Sequence, residues 1–228
     1  MMNAPECSFE QIIRELTGSI NGQYPRPWMT DLANPKDAQV FLVGRNWGVT
    51  YAEKDIASHD RFMDAHFNRN GESCRALYDE ITGGRPTKTK QNHDVLLRLL
   101  RDYGVCEILE TNVICYGTRL SSHLNRPEHR WGRERGKEMF LSVQQHIRPR
   151  VIISHGSGTV RDLARAFRID LPKPQYRFHK PQALSLPGED MPVVFVIPSL
   201  AVPAFNRWKT WSFDYLKMLA VEVSKALA

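Results

Sequence analysis

The sequence predicts an α/β fold, a three-layer α/β/α arrangement in which a central four-stranded parallel sheet is covered by helices on both faces. Three observations carry this expectation. Strand-like runs occur at 39–43, 108–115, 151–154 and 193–197, and three of them are the short continuous apolar runs that strands buried on both faces show. Each run is followed, directly or at a distance, by a segment of helical periodicity. At 151–167 strand, glycine turn and helix follow one another as a single α/β unit.

Taken in order, the first element is a helix over 8–20, with Ser8 as N-cap and Ile12, Ile13 and Leu16 at helical spacing. Residues 21–37 hold Asn21-Gly22, Pro25, Pro27 and Pro35, which predicts an irregular connector. The strand at 39–43 then breaks into Gly44-Arg45-Asn46-Trp47-Gly48, where glycine lets the backbone turn and approach a ligand. In open α/β sheets ligands bind in the crevice at the carboxyl ends of strands. Arg45, Asn46 and Trp47 therefore offer a charge, an amide and a stacking surface at a useful place, or else form an ordinary strand-ending turn. Over 50–67 the aromatics Tyr51, Phe62 and Phe67 alternate with Lys54, His59, Arg61 and His66, a pattern that fits either core packing or a stacking platform beside an anionic backbone.

Residues 71–82 are read as a helix stopped by Gly83-Gly84-Arg85-Pro86, and 87–90 as a short basic loop. A helix over 94–102, with Val95, Leu96, Leu99 and Leu100 on its apolar side, closes at Gly104. The second strand carries Glu110, Thr111 and Asn112 and runs into Thr118 and Arg119. Five arginines between 119 and 135 make the next stretch the most cationic part of the chain, either a solvated surface or a nucleic-acid contact. A helix over 134–146 leads to the third strand, which meets His155-Gly156-Ser157-Gly158 and a helix over 159–167. The Lys-Ser/Thr ending of a phosphate loop is missing there. A proline-broken connection over 170–192 precedes the fourth strand and Pro198-Ser199. A loop with Pro203, Phe205, Asn206, Arg207 and Trp208 and a helix over 213–227 close the chain.

At 228 residues without a repeat, a single domain over 1–228 is expected, with 1–37 as N-terminal helix and connector. No apolar run approaches the roughly 18 residues of a membrane span, and the N-terminus has neither a basic flank nor an apolar core. The expectation is a cytoplasmic monomer without a membrane partner. Cysteines at 7, 74, 106 and 115 include no Cys-x-x-Cys pair, which argues against a zinc ribbon or a disulfide framework. Neither metal nor cofactor is expected. The formal net charge of +6 favours an acidic partner, nucleic acid being the commonest, or serves solubility alone.

Four strand ends thus present Asn46 with Trp47, Asn112, His155, and Pro198-Ser199. In order and spacing these resemble the uracil-DNA glycosylase superfamily, nearest to its single-strand-selective and mismatch-specific branches, over about residues 38–220. The family's first motif, Gly-x-Asn-Pro-Gly, is similar to Gly44-Arg45-Asn46-Trp47-Gly48. Its Thr-Asn pair is matched by Thr111-Asn112, and its third motif by 149–156. Its His-Pro-Ser and following DNA-entering loop are similar to Ile197-Pro198-Ser199 and 200–208.

The resemblance implies a DNA repair hydrolase that flips uracil or another deaminated base and hydrolyses the N-glycosidic bond. Asn46 would position the water, since an amide cannot take its proton, beside Gly44, Arg45 and Trp47. Asn112 would read the base edge, and Phe62 or Phe67 would stack on the base. Ser199, next to Pro198, would hold a phosphate, and the loop with Asn206, Arg207 and Trp208 would probe the duplex. Arg119 and Arg126 are further candidate DNA contacts.

Two positions depart from the family. Trp47 replaces the proline of the first motif. Ile197 replaces the histidine that donates to the leaving base, and losing one such donor costs about 10²–10³ in rate. Arg45 or His155 is left to supply the charge. A member that binds a base or nucleic acid without cleaving is therefore the second reading, and an unrelated α/β enzyme with a nucleotide-like small molecule in the crevice is the third.

Overall fold

A computed structural model describes residues 8–188 and 190–228. The readings of the first seven residues, the absence of a leader and Cys7 among them, lie outside that range.

Strand β1 (Val40–Trp47) lies between β2 (Ile108–Gly117) and β3 (Val151–His155) and is parallel to both. β5 (Val193–Ile197) pairs parallel with β3, so the four expected strands form one parallel sheet segment. The segment is not the whole sheet. A three-residue strand, β4 (Ala183–Ser185), pairs antiparallel with the outer side of β5, giving the mixed order β2-β1-β3-β5-β4. The expectation of a four-stranded parallel sheet is corrected on this point. Ala183 and Ser185 are exposed and Leu184 alone packs half-buried against the core, so a strand of three residues leaves no readable hydrophobic pattern.

The apolar strand runs are explained by burial on both faces. Alternate side chains of a strand point to opposite sides. Phe41 and Val43 of β1 enter one core with Met139, Phe140 and Val143, while Val40 and Leu42 enter the other with Leu96, Leu100, Leu216 and Leu219. Helices α1 (Phe9–Leu16), α5 (Arg130–Ile147) and α6 (Ser157–Phe167) supply the first layer. Helices α4 (Lys88–Asp102) and α7 (Lys209–Leu227) supply the second. Between β1 and α4 the chain forms α2 (His59–His66) and α3 (Cys74–Thr82), which bury Phe62, Met63, Leu77 and Tyr78.

Several boundaries moved for local reasons. The expected basic loop 87–90 is the start of α4: Thr87 Oγ1 caps Lys90 N–H at 3.2 Å. Lysines in a first turn oppose the helix dipole, but Lys90 is paired with Glu110 and Asp94 within the fold. α5 begins at Arg130, which makes part of the arginine-rich stretch helical. It packs closely on β2 because Gly136 faces the strand: a Cβ there would lie 2.9 Å from Cys115 N. Among the described residues no helix is long and apolar enough to cross a membrane.

Candidate functional site

The carboxyl ends of β1, β2 and β3 and the segment after β5 open into one cleft of about 660 Å³. Gly44, Arg45, Asn46, Trp47, Asn112, Arg119, His155 and Ser199, all singled out in the sequence, line it. Parallel pairing explains the convergence, because it sets Gly44 opposite Asn112 in register and sends every strand end to the same edge. Gly44 is required there: an added Cβ would run into the Asn112 amide and come within 3.2 Å of His155 Nε2.

The two amides differ in character. Asn46 is tied to the protein. Its Nδ2 donates to Thr118 Oγ1 at 2.9 Å and more weakly to the carbonyls of Trp47 and Thr118, while its Oδ1 accepts from Ser121 Oγ at 2.5 Å. Asn112 is 4% exposed. Among the described residues, the hydrogen bond at residue 112 beyond the strand ladder is the one its backbone carbonyl accepts from Cys115 Sγ, so its side-chain amide faces the cleft unengaged by them.

Behind Asn112 runs a buried polar chain. Lys90 Nζ donates to Glu110 Oε1 at 2.6 Å, and His93 Nδ1 lies 2.8 Å from Glu110 Oε2. His93 Nε2 then faces His155 Nε2 at 3.2 Å, and Leu200 N–H donates to His155 Nδ1 at 3.3 Å. The backbone donor fixes the proton order, because a neutral imidazole carries one N–H. With Nδ1 accepting, His155 protonates Nε2 and donates to His93 Nε2, and His93 donates through Nδ1 to Glu110. Burial pushes the Glu110 carboxyl upward, but Lys90 and His93 outweigh it and hold it at about 2. Burial, with His93 beside it, holds His155 well below the ordinary histidine range, so its ring is neutral at neutral pH. His155 is also the register partner of Ile197 on β5. It stands one strand over from the position where the family resemblance expects a histidine, and Ile197 itself is fully buried in the core.

Other candidates are placed elsewhere. Phe62, expected to stack on a base, is fully buried with its ring 4.1 Å from that of His66, and Phe67 packs edge-on against Trp28. Neither lines the cleft, since the ring-bearing faces of α2 turn into the core rather than toward the sheet edge. Trp208, expected in a DNA-probing loop, is fully buried and donates from Nε1 to Ser199 O at 2.9 Å, which anchors the loop from below. Pro198 is buried, Asn206 is exposed, and Arg207 stacks over the Tyr176 ring at 4.3 Å. Arg126 is exposed, 4.0 Å from Glu128, and away from the cleft lining. Arg45 lines the cleft but is paired with Asp162 at 2.8 Å.

Sequence reading missed four groups in the lining: Arg26, Lys90, His93 and Glu110. One signal was available, a carboxylate in the middle of a buried strand, which requires a partner. Also missed were Leu120 and Val202, 56% and 43% exposed, which stand on the cleft as bare apolar side chains. The lining carries the cations Arg26, Arg45, Lys90 and Arg119 against the single carboxylate Glu110, a balance that favours an electron-rich or anionic ligand. Compared with known proteins, the chain matches no family model and no curated sequence.

Proposed function

We propose that the chain is a DNA glycosylase-like protein that draws uracil or another deaminated base out of the stack into this cleft and hydrolyses its N-glycosidic bond. One observation carries the reading: the amides of Asn46, near the end of β1, and Asn112, midway along the adjacent β2, line a single hollow with His155 and Ser199. An unengaged, buried amide offers both a donor and an acceptor to a base edge. The exposed Leu120 and Val202 are suited to fill the gap that an extruded base leaves. The oxyanion that develops on the departing base meets the cationic lining where Ile197 offers no donor, since the one N–H of His155 is given to His93.

The test is abasic-site formation on uracil-containing single- and double-stranded oligonucleotides. Cleavage that falls by about 10²-fold or more in Asn112→Ala supports the proposal, and absence of cleavage on both substrates with the wild-type chain refutes it.

A second reading, binding of a base or nucleic acid without cleavage, is favoured by a specific observation. The Asn46 amide is occupied by Thr118 and Ser121, and Glu110, held by Lys90 and His93, is not placed to activate water. Salt-sensitive binding of the same oligonucleotides without abasic product supports that reading.

A further inference from the structure

Arg26 lies in the connector before β1, a segment that sequence reading left without a role. It lines the cleft, yet it is only 4% exposed. Its guanidinium carbon stands 3.6 Å from the centre of the Trp47 ring and 4.5 Å from that of Tyr51, with Tyr78 at 5.7 Å. The backbone is held as well, since Trp47 Nε1 donates to Arg26 O at 2.6 Å. Two guanidinium nitrogens, Nε and Nη1, are buried without a hydrogen-bond partner, and among the described residues Arg26 joins no ion pair. Every other buried charge of the site is compensated: Lys90 by Glu110 and Asp94, Glu110 by Lys90 and His93.

A buried, uncompensated cation is costly to a fold. Aromatic faces recover part of that cost, but they engage the faces of the guanidinium and leave its Nε and Nη1 without an acceptor among the described residues. Their N–H groups are the part of arginine that pairs with planar oxyanions. Arg26 and Asn112 both line the cleft, so a ring read by the Asn112 amide enters the same hollow as the Arg26 cation.

We infer that Arg26 receives the negative charge of the ligand in this cleft, so that the site holds a pyrimidine-type base as its anion in preference to the neutral ring. This rests on the proposed function, in which the base leaves as an anion, and it assigns the charge-receiving role to a residue outside the four motifs. The groups packed around Arg26 do not confuse a test near neutral pH. Burial pushes Tyr51 and Cys74 up to about 12 and His66 down to about 3, and Glu110 is held at about 2. Tyr78, Lys90 and the His93–His155 pair complete the set, and their contribution is removed by comparing wild type with variant at each pH.

Isothermal titration of the full chain with 6-azauracil, which ionises near neutral pH, and with uracil, which stays neutral there, reads the preference directly. Wild type is expected to bind 6-azauracil about tenfold to a hundredfold more tightly once the base is ionised, with no such trend for uracil. Arg26→Met is expected to flatten the trend without lowering the melting temperature, because methionine removes a buried charge and keeps the volume. Arg26→Lys retains part of the trend. Equal wild-type affinity for ionised and neutral base, no base binding at millimolar concentration, or an unchanged trend in Arg26→Met overturns the inference. If Arg26→Met does not fold, the wild-type pH comparison and Arg26→Lys still decide. The oligonucleotide cleavage assay is independent: cleavage without anion preference removes the role of Arg26 alone, and anion preference without cleavage removes only the glycosylase reading.

Discussion

Replacing Glu110 by glutamine keeps the shape of the side chain and removes the charge on which the buried chain behind the cleft depends. Lys90 and Glu110 are 7% and 6% exposed at the side chain and 2.6 Å apart. Removing one partner of such a pair costs about 3–5 kcal/mol, because the remaining ion stays buried without compensation. The lowered Glu110 carboxyl points to the same order of magnitude. Lowering the carboxyl from 4.5 to about 2 corresponds to about 3 kcal/mol of stability. Asp94, 2.7 Å from Lys90 and partly exposed, keeps some hold on the lysine, so the lower end is expected.

For a chain of this size, about 3 kcal/mol lowers the melting temperature by roughly 6–12 °C. Thermal and urea unfolding of wild type, Glu110→Gln, Lys90→Met and the double variant measure this. The double variant should be more stable than Glu110→Gln alone, since it leaves no orphan charge. The pH dependence follows from the lowered folded value. The stabilisation is fully present above 4.5 and is lost as pH falls through about 2, and Glu110→Gln should lack that slope. A Glu110→Gln protein within about 1 kcal/mol of wild type at neutral pH, where the pair is expected to count for about 3, would refute the reasoning, as would a double variant no more stable than the single one.

Three further outcomes are expected. Gly136→Ala should gain about 1 kcal/mol in helix propensity but lose about 1–3 to overpacking against the β2 backbone, so urea unfolding should show net destabilisation, and a stabilised variant would contradict the close approach of α5. Trp208→Ala should cost about 3–5 kcal/mol while its folded fraction binds oligonucleotide as wild type does; lost binding with unchanged stability would return Trp208 to the DNA surface. Leu120→Ser should lower cleavage of uracil in duplex by about tenfold and leave single strands unaffected, and equal losses on both substrates would show that Leu120 is not a wedge.

The parallel segment of the sheet was legible because a strand buried on both faces must be apolar throughout, and the runs at 39–43, 151–154 and 193–197 have that composition. Its strands carry Asn46, Asn112 and His155, and parallel pairing opens all three onto one cleft, so part of the cleft lining was legible too. What escaped were features whose causes are not local. β4 turns only Leu184 toward the core and is too short to show a period. Phe62 and Trp208 are aromatic in sequence whether they meet a base or a core, and only the direction of α2 and the packing under the loop after β5 decided for the core. Lys90, His93 and Glu110 come from a helix and a strand whose sequence positions do not announce their contact.

Composition and hydrophobic period thus determined the fold class, the four parallel strands and the end of the sheet where the cleft opens, because burial acts on each segment separately. The tertiary structure alone decided which charges are neutralised and which amide is left unengaged. Those depend on distances of a few ångströms between residues far apart in the chain, Arg26 against Trp47 and Lys90 against Glu110, and no spacing along a sequence encodes them.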